Sequence, residues 1–210
     1  MPTALIWGAN GSVGQALTAE LTAHEWQVFA VSRDGADVPG AVQTLQADVT
    51  DSQAVKEVVL AAAFEVSDVD LMVYAAGDII SNRVKQMTPE EWQRILGANL
   101  SGAFITTHHS LPLLAEKGAL FYLGAVSERL HLPGLAAYAA AKAGLEVFAD
   151  TLRKEERKRR ILVVRPGAVA TPFWDKVPMR LPKDAASPQK VSKRIREAYE
   201  EGLTGLLDLT

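Results

Sequence analysis

The chain has no cysteine, which excludes disulfides, thiol catalysis and any cysteine-ligated metal. No apolar run approaches the ~18 residues of a membrane-spanning helix. Met1–Trp7 passes straight into a strand-like run without the layout of a secretory signal, so a soluble cytoplasmic protein with no membrane partner is expected. Net charge is also scarce: 22 basic against 25 acidic residues leave −3 and a pI near 5.8, which gives no basic field for nucleic acid. The four histidines (His24, His108, His109, His131) are scattered, none in a metal-ligand spacing, so no metal site is expected. Apolar residues are plentiful, at 48% of 210. That suffices for one sizeable core and predicts a single domain over residues 1–210.

The order of patterns predicts an α/β fold. Ala4–Trp7 reads as a buried strand and runs into GANGSVG, Gly8 to Gly14, followed by a helical pattern. Strand, glycine-rich turn and helix is the setting in which Gly8 permits a tight turn and Gly11 lets backbone approach a pyrophosphate. Gly14 permits close helix packing, and the free N–H groups of the helix start favour an anion. Gln27–Val31 reads as a second strand ending in Ser32-Arg33, a hydroxyl and a guanidinium that suit a ribose 2′-phosphate. Asp34 comes one residue late for a ribose carboxylate. NADP(H) is therefore favoured, with NAD(H) possible.

A third strand, Ala41–Gln46, leads to Asp48-Val49, where Asp48 is placed to accept from an adenine amino group or to serve as a turn aspartate. Thr50-x-x-Gln53 has the pattern of a capping box opening a helix to about Phe64. Asp70–Tyr74 is a fourth strand, and the small residues Ala75, Ala76 and Gly77 let a ribose approach the backbone. Thr88-Pro89-Glu90-Glu91 starts a helix that continues through Asn99, a polar residue in an otherwise apolar stretch. Ala119–Leu123 is the fifth strand and Ile161–Val164 the sixth. The helix between them, Leu135–Arg157, ends in a basic cluster that suits the helix dipole. A last helix starts at Ser187-Pro188, and Leu206–Leu209 is a possible final strand. Strands alternating with helices predict one doubly wound parallel sheet, with helices on both faces and the site beyond the strands' C-terminal ends.

Within the fifth helix, LAAYAAAK places Tyr138 and Lys142 at i and i+4 on one face. A cation beside a phenol lowers its pKa and prepares it to exchange a proton with an alcohol or carbonyl oxygen.

These motifs, in this order and across nearly the whole length, resemble the short-chain dehydrogenase/reductase family, with its Rossmann-like fold. The resemblance implies that Tyr138 is the acid/base, that Lys142 binds the nicotinamide ribose, and that Asn99 holds a water joining Lys142 to solvent. It implies cofactor contacts from the glycine segment (Gly8, Asn10, Gly11, Ser12, Val13, Gly14), from Ser32 and Arg33, and from Asp48, Val49 and Ala75–Gly77. In Pro166-Gly167-x-Val169-x-Thr171, Pro166 belongs to the motif, and Val169 and Thr171 would contact the carboxamide. The chain departs from the pattern at Trp7, where threonine is common, and at Tyr74-Ala75, where two asparagines are common. It departs again at Ala125, where a serine that bonds the substrate oxygen normally stands. If the chain stays extended, Ser127 falls on the same side about 6–7 Å further on, and reaches the site only through a bend. The segment Thr171–Ser187 stands where the family builds its lid. Its Phe173, Trp174 and Met179 suit a small hydrophobic carbonyl or ring compound. A homodimer or homotetramer through the Asn99 and Tyr138 helices is the family expectation.

Three functions follow from that pattern. The first is an NADP(H)-dependent oxidoreductase acting between a carbonyl and an alcohol. The second is a reductase of a quinonoid or conjugated ring, as in dihydropteridine reductases, which also lack the serine. The third is an NADP(H)-binding regulatory protein without efficient chemistry.

Overall fold

The computed structural model describes Met1–Leu209. Seven parallel strands form one sheet: β1 (Thr3–Trp7), β2 (Gln27–Ser32), β3 (Gln43–Gln46), β4 (Val69–Tyr74), β5 (Leu114–Leu123), β6 (Arg160–Pro166) and β7 (Gly205–Leu209). Their spatial order is β3-β2-β1-β4-β5-β6-β7. The chain winds outward from β1 in one direction and from β4 in the other. The crevice between the C-terminal ends of β1 and β4 is thus the switch point at which open sheets of this kind bind ligands.

Residues of the central strands are buried on both faces and feed two apolar layers, whereas the edge strands β3 and β7 stay partly exposed. On one side, Ala4, Ile6, Val28 and Val73 pack against Leu17 and Leu21 of α1 (Ser12–Thr22) and Val191 and Ile195 of α6 (Pro188–Glu200). On the other, Leu5, Trp7, Met72 and Tyr122 meet α2 (Ser52–Glu65), α4 (Gly102–Ser110) and α5 (Ala136–Glu155) through Val55, Ala103, Leu145 and Leu152. The doubly wound sheet expected from the alternating patterns is the observed one.

Local starts and stops follow side-chain chemistry. Thr88 and Glu91 form a reciprocal capping box before α3 (Pro89–Leu96), and the Ser187 hydroxyl accepts from the Lys190 amide. Two expectations are corrected. The start of α2 is capped by Asp51, whose Oδ1 accepts from the Gln53 and Ala54 amides, whereas the Thr50 hydroxyl donates to Asp48. A carboxylate one residue later captures the orphan amides in place of the predicted threonine. The third strand is shorter than predicted because Ala41 closes a turn onto the Val38 carbonyl. The helix does run through Asn99, as expected, and widens there into a π-helical turn, Gly97–Ser101, between α3 and α4.

Candidate active site

A cavity of about 650 Å³ opens over the C-terminal ends of the central strands. Its floor is the turn after β1. Gly8 has φ +82°, and a Cβ there would lie 2.5 Å from the Ala76 amide nitrogen, so only glycine lets this turn meet the one after β4. A Cβ on Gly14 would lie 2.4 Å from the Gly8 carbonyl oxygen, which fixes how closely α1 approaches the loop. Gly11 differs: a Cβ there has only the Gly8 oxygen, at 3.4 Å, for company, and the residue faces the cavity.

Gly11 also caps α1 without a side chain, and the first turn has no acidic residue. The amides that open α1 belong to Ser12, Val13 and Gly14, which line the cavity with Asn10. A pyrophosphate fits this cradle: unfilled N–H donors, the positive helix end and no Cβ in the way. Asn10 is braced from behind, its amide donating to both Asp34 carboxylate oxygens at 3.2 and 3.1 Å. Asp34 in turn accepts from the Ala36 amide, as a turn aspartate does.

Opposite stands the face of α5. Lys142 is buried, and its Nζ donates to the Leu123 carbonyl oxygen at 2.8 Å and lies 5.6 Å from the Tyr138 ring centre. Asn99, fully buried in the π turn, donates through Nδ2 to the Asp78 carbonyl at 2.7 Å and the Ile95 carbonyl at 2.9 Å. Its Oδ1 has no partner among the described residues. That oxygen lies 2.9 Å, and Lys142 Nζ 4.0 Å, from the point a Gly77 Cβ would occupy. Asn99, Lys142 and the backbone at Gly77 therefore converge on one corner of the cavity that Tyr138 also lines. An unfilled buried acceptor beside an ammonium fits a hydroxyl-bearing ligand such as a ribose.

Electrostatics here differ from the sequence expectation. Burial pushes the Tyr138 phenol above its ordinary value, whereas Lys142 was expected to lower it. Burial also brings Lys142 down to about 8. The physical reason is common to both: apolar surroundings disfavour each charged form.

Of the predicted residues, Asn10, Gly11, Ser12, Val13, Gly14, Ala75, Ala76, Gly77, Asn99, Tyr138, Lys142, Pro166, Val169 and Thr171 line the cavity. Gly8 lies beneath it. Ser32, Arg33, Asp48 and Val49 lie outside the lining: Ser32 is the buried last residue of β2, exposed Arg33 follows it, and Asp48 and Val49 lie just past β3. Asp48 Oδ1 is occupied by the Thr50 amide and hydroxyl at 2.8 and 2.7 Å. Ala125 and Val126 line the cavity; Ser127 does not. The extended path assumed for Ser127 is corrected, because a 3-10 turn, Ser127–Leu130, begins at that residue and ends strand alternation.

The lid also lines the cavity. Its 3-10 turn, Pro172–Lys176, puts the Phe173 ring 5.9 Å from the Tyr138 ring. The Trp174 indole donates to the Val169 carbonyl at 2.9 Å. Lys176 reaches across to Asp78 at 2.7 Å, and Arg94 holds the same carboxylate at 2.9 Å. Sequence reading missed Asp78 and also Arg165, a charged residue at the end of the apolar run of β6. That break in the run was the available signal.

The model of the short chain dehydrogenase family matches residues 2–181. The 3-oxoacyl-(acyl-carrier-protein) reductase of Escherichia coli is 34% identical over 179 residues, covering 80% of this chain and 73% of the relative. The 3beta-hydroxysteroid dehydrogenase 1 of Eggerthella lenta is 30% identical over 187 residues, covering 81% and 72%. Among solved structures, the ligand-free aldohexose dehydrogenase of Thermoplasma acidophilum superposes with a TM-score of 0.87 over 99% of this chain and 92% of that one. At 20% identity, it speaks for the fold alone. With the family model covering most of its length and these relatives beside it, the chain belongs to the short-chain dehydrogenase/reductase family of NAD(P)-dependent oxidoreductases.

Proposed function

We propose that the chain is an NADP(H)-dependent oxidoreductase that interconverts a carbonyl and an alcohol, with Tyr138 as the acid/base. The observation that carries this reading is the convergence of Tyr138, Lys142 and Asn99 on the wall of the cavity whose floor is the α1 N-terminus. The relatives that reduce a 3-oxo group or dehydrogenate a 3beta-hydroxysteroid support carbonyl and alcohol chemistry.

The amides of Ser12, Val13 and Gly14 would hold the pyrophosphate, and Ser32 and Arg33 would hold a 2′-phosphate. Asp48 and Val49 would border the adenine end. Ala75–Gly77 and Lys142 would hold the inner ribose, and Pro166, Val169 and Thr171 the carboxamide. When bound, the nicotinamide supplies or accepts the hydride. Tyr138, whose phenol is held above its ordinary value by desolvation, donates a proton to the carbonyl oxygen in reduction and takes it back in oxidation. Lys142 keeps a positive charge beside that phenol, and Asn99 Oδ1 accepts from the water or hydroxyl that resupplies the proton. The apolar walls exclude bulk water and strengthen these interactions.

Tyr138→Phe is expected to lower kcat by about 10²–10⁴-fold in NADPH oxidation with ethyl acetoacetate, with NADPH affinity nearly unchanged. Turnover indifferent to that change would overturn the acid/base assignment. Arg33→Ala is expected to raise the KM for NADPH and not that for NADH, because only NADPH carries a 2′-phosphate for the guanidinium to pair with.

A second reading, reduction of a quinonoid or conjugated ring, is favoured by two features. Ala125 rather than a hydroxyl faces the cavity, and Phe173 adds an aromatic wall beside Tyr138. Faster turnover of menadione than of ethyl acetoacetate would select it. We place the protein in the cytoplasm as a homodimer or homotetramer.

A further inference from the structure

Arg165 stands where β6 leaves its apolar run, and it is only 7% exposed. Its guanidinium joins three separate elements. Nε and Nη2 donate to Asp208 Oδ1 and Oδ2 on β7, at 2.6 and 2.8 Å, a bidentate fork. Nη1 donates to Glu128 at 3.1 and 3.2 Å, on the turn that follows β5, and to Glu146 Oε2 at 3.1 Å, on α5. Glu146 comes four residues after Lys142 and eight after Tyr138, so it shares their side of the helix. Its side chain is 15% exposed, and its second oxygen has no partner among the described residues.

Three carboxylates repel one another, and in this corner the Arg165 guanidinium, with Arg129 also acting on Asp208, offsets that repulsion. Two of them belong to walls of the cavity. The chain around Glu128 supplies Ala125, Val126, Arg129 and Leu130 to its lining, and α5 supplies Tyr138 and Lys142. With Ala125 in the wall, no hydroxyl there helps the Tyr138 phenol to orient the carbonyl, so the shape of the wall weighs more. A misplacement of about 1 Å can then cost on the order of 10²-fold in rate.

We infer that Arg165 is a positioning residue: by gripping Glu128 and Glu146 at once, it fixes the 125–130 wall against α5 and so sets the carbonyl against Tyr138. This rests on the reading of Tyr138 as the acid/base. The same grip accounts for the position of Ser127, whose neighbour Glu128 is tied to β6 instead of turning the segment inward.

The test uses Glu128, whose exposed side chain can be removed without threatening the core. In NADPH-dependent reduction of ethyl acetoacetate, Glu128→Ala is expected to lower kcat about tenfold or more, with the dissociation constant for NADPH within about twofold of wild type. Glu128→Gln keeps an acceptor for Nη1 and is expected to recover most of that loss. Amide exchange in residues 124–132 should quicken in Glu128→Ala, while that of α5 stays unchanged. A kcat unaltered in Glu128→Ala, or exchange in 124–132 unaltered, overturns the inference; so does a melting-temperature drop with unchanged turnover per folded molecule. If Tyr138→Phe leaves turnover intact, the functional reading falls separately, and the exchange measurement still decides whether Arg165 holds this wall.

Discussion

Burial moves the two central titrating groups in opposite directions, Tyr138 upward and Lys142 down to about 8. Carbonyl reduction needs the phenol protonated and the ammonium charged, so kcat/KM for reduction is expected to be flat below about pH 8. Above it, the value falls as Lys142 loses its proton, and a rise between pH 7 and 9 would contradict the assignment. The same burial has a cost in stability. Below about pH 8 the amine is charged in both folded and unfolded chains, and the full penalty is present. Between about 8 and the ordinary 10.5, only the unfolded chain keeps the proton, so the penalty fades as pH rises. Lys142→Met is therefore expected to stabilise the cofactor-free protein at pH 7 by about 1–3 kcal/mol, after loss of the bond to the Leu123 carbonyl. That gain should shrink toward pH 10.5 in denaturation series, while turnover is lost. The Tyr138–Lys142 pair was legible from spacing alone, because four residues on a helix fix which side chains are neighbours. The direction of the Tyr138 shift was not, because desolvation depends on walls brought from β5, β6 and the lid.

At the scale of elements, the π-helical turn decides where Asn99 points. A π turn leaves carbonyls without their usual helical donors, and here side chains supply them. Asn99 Nδ2 donates to the Ile95 carbonyl, and the Tyr74 hydroxyl donates to the Ala98 carbonyl at 2.7 Å. Tyr74, unusual in sequence where the family has asparagine, thus closes the turn that presents Asn99. Gly102 makes room for it, since a Cβ there would lie 2.5 Å from the Tyr74 hydroxyl oxygen. Tyr74→Phe is expected to lower unfolding free energy by about 1–2 kcal/mol in urea titration, because a carbonyl loses its donor in the core. A neutral effect would remove Tyr74 from this role. Sequence showed Asn99 as a polar anomaly in an apolar stretch. It could not show the π turn, because the partners of the turn lie on β4, Tyr74, and just beyond it, Asp78.

Across the whole molecule, the strand succession and the placement of the candidate site beyond the strands' C-terminal ends were readable from alternating patterns and punctuating glycines. The four-element grip of Arg165 was not, since it depends on β7 closing the sheet beside β6 and bringing Asp208 into place. The outer surface of the α4–α5 layer carries the remaining whole-molecule question. Phe104 on α4 is 54% exposed and Val147 on α5 is 67% exposed. The Phe104 ring meets the Phe148 ring edge-on at 6.4 Å, which joins the two helices into one apolar face, and it stacks on His108 at 5.9 Å. Large apolar groups clustered on neighbouring helices are costly to leave in water and mark a surface for association. A second copy is the proposed occupant because the same two helices can meet their own images across a two-fold axis. Sedimentation velocity is expected to show a dimer or tetramer at micromolar concentration. Phe104→Glu with Val147→Glu should shift it to monomer without unfolding, because a charge that solvent accepts on the free helix becomes an unpaired buried charge between copies. A monomeric wild type at 100 μM, flagged by about the same frictional size as the double variant, would mean that this face stays open to solvent.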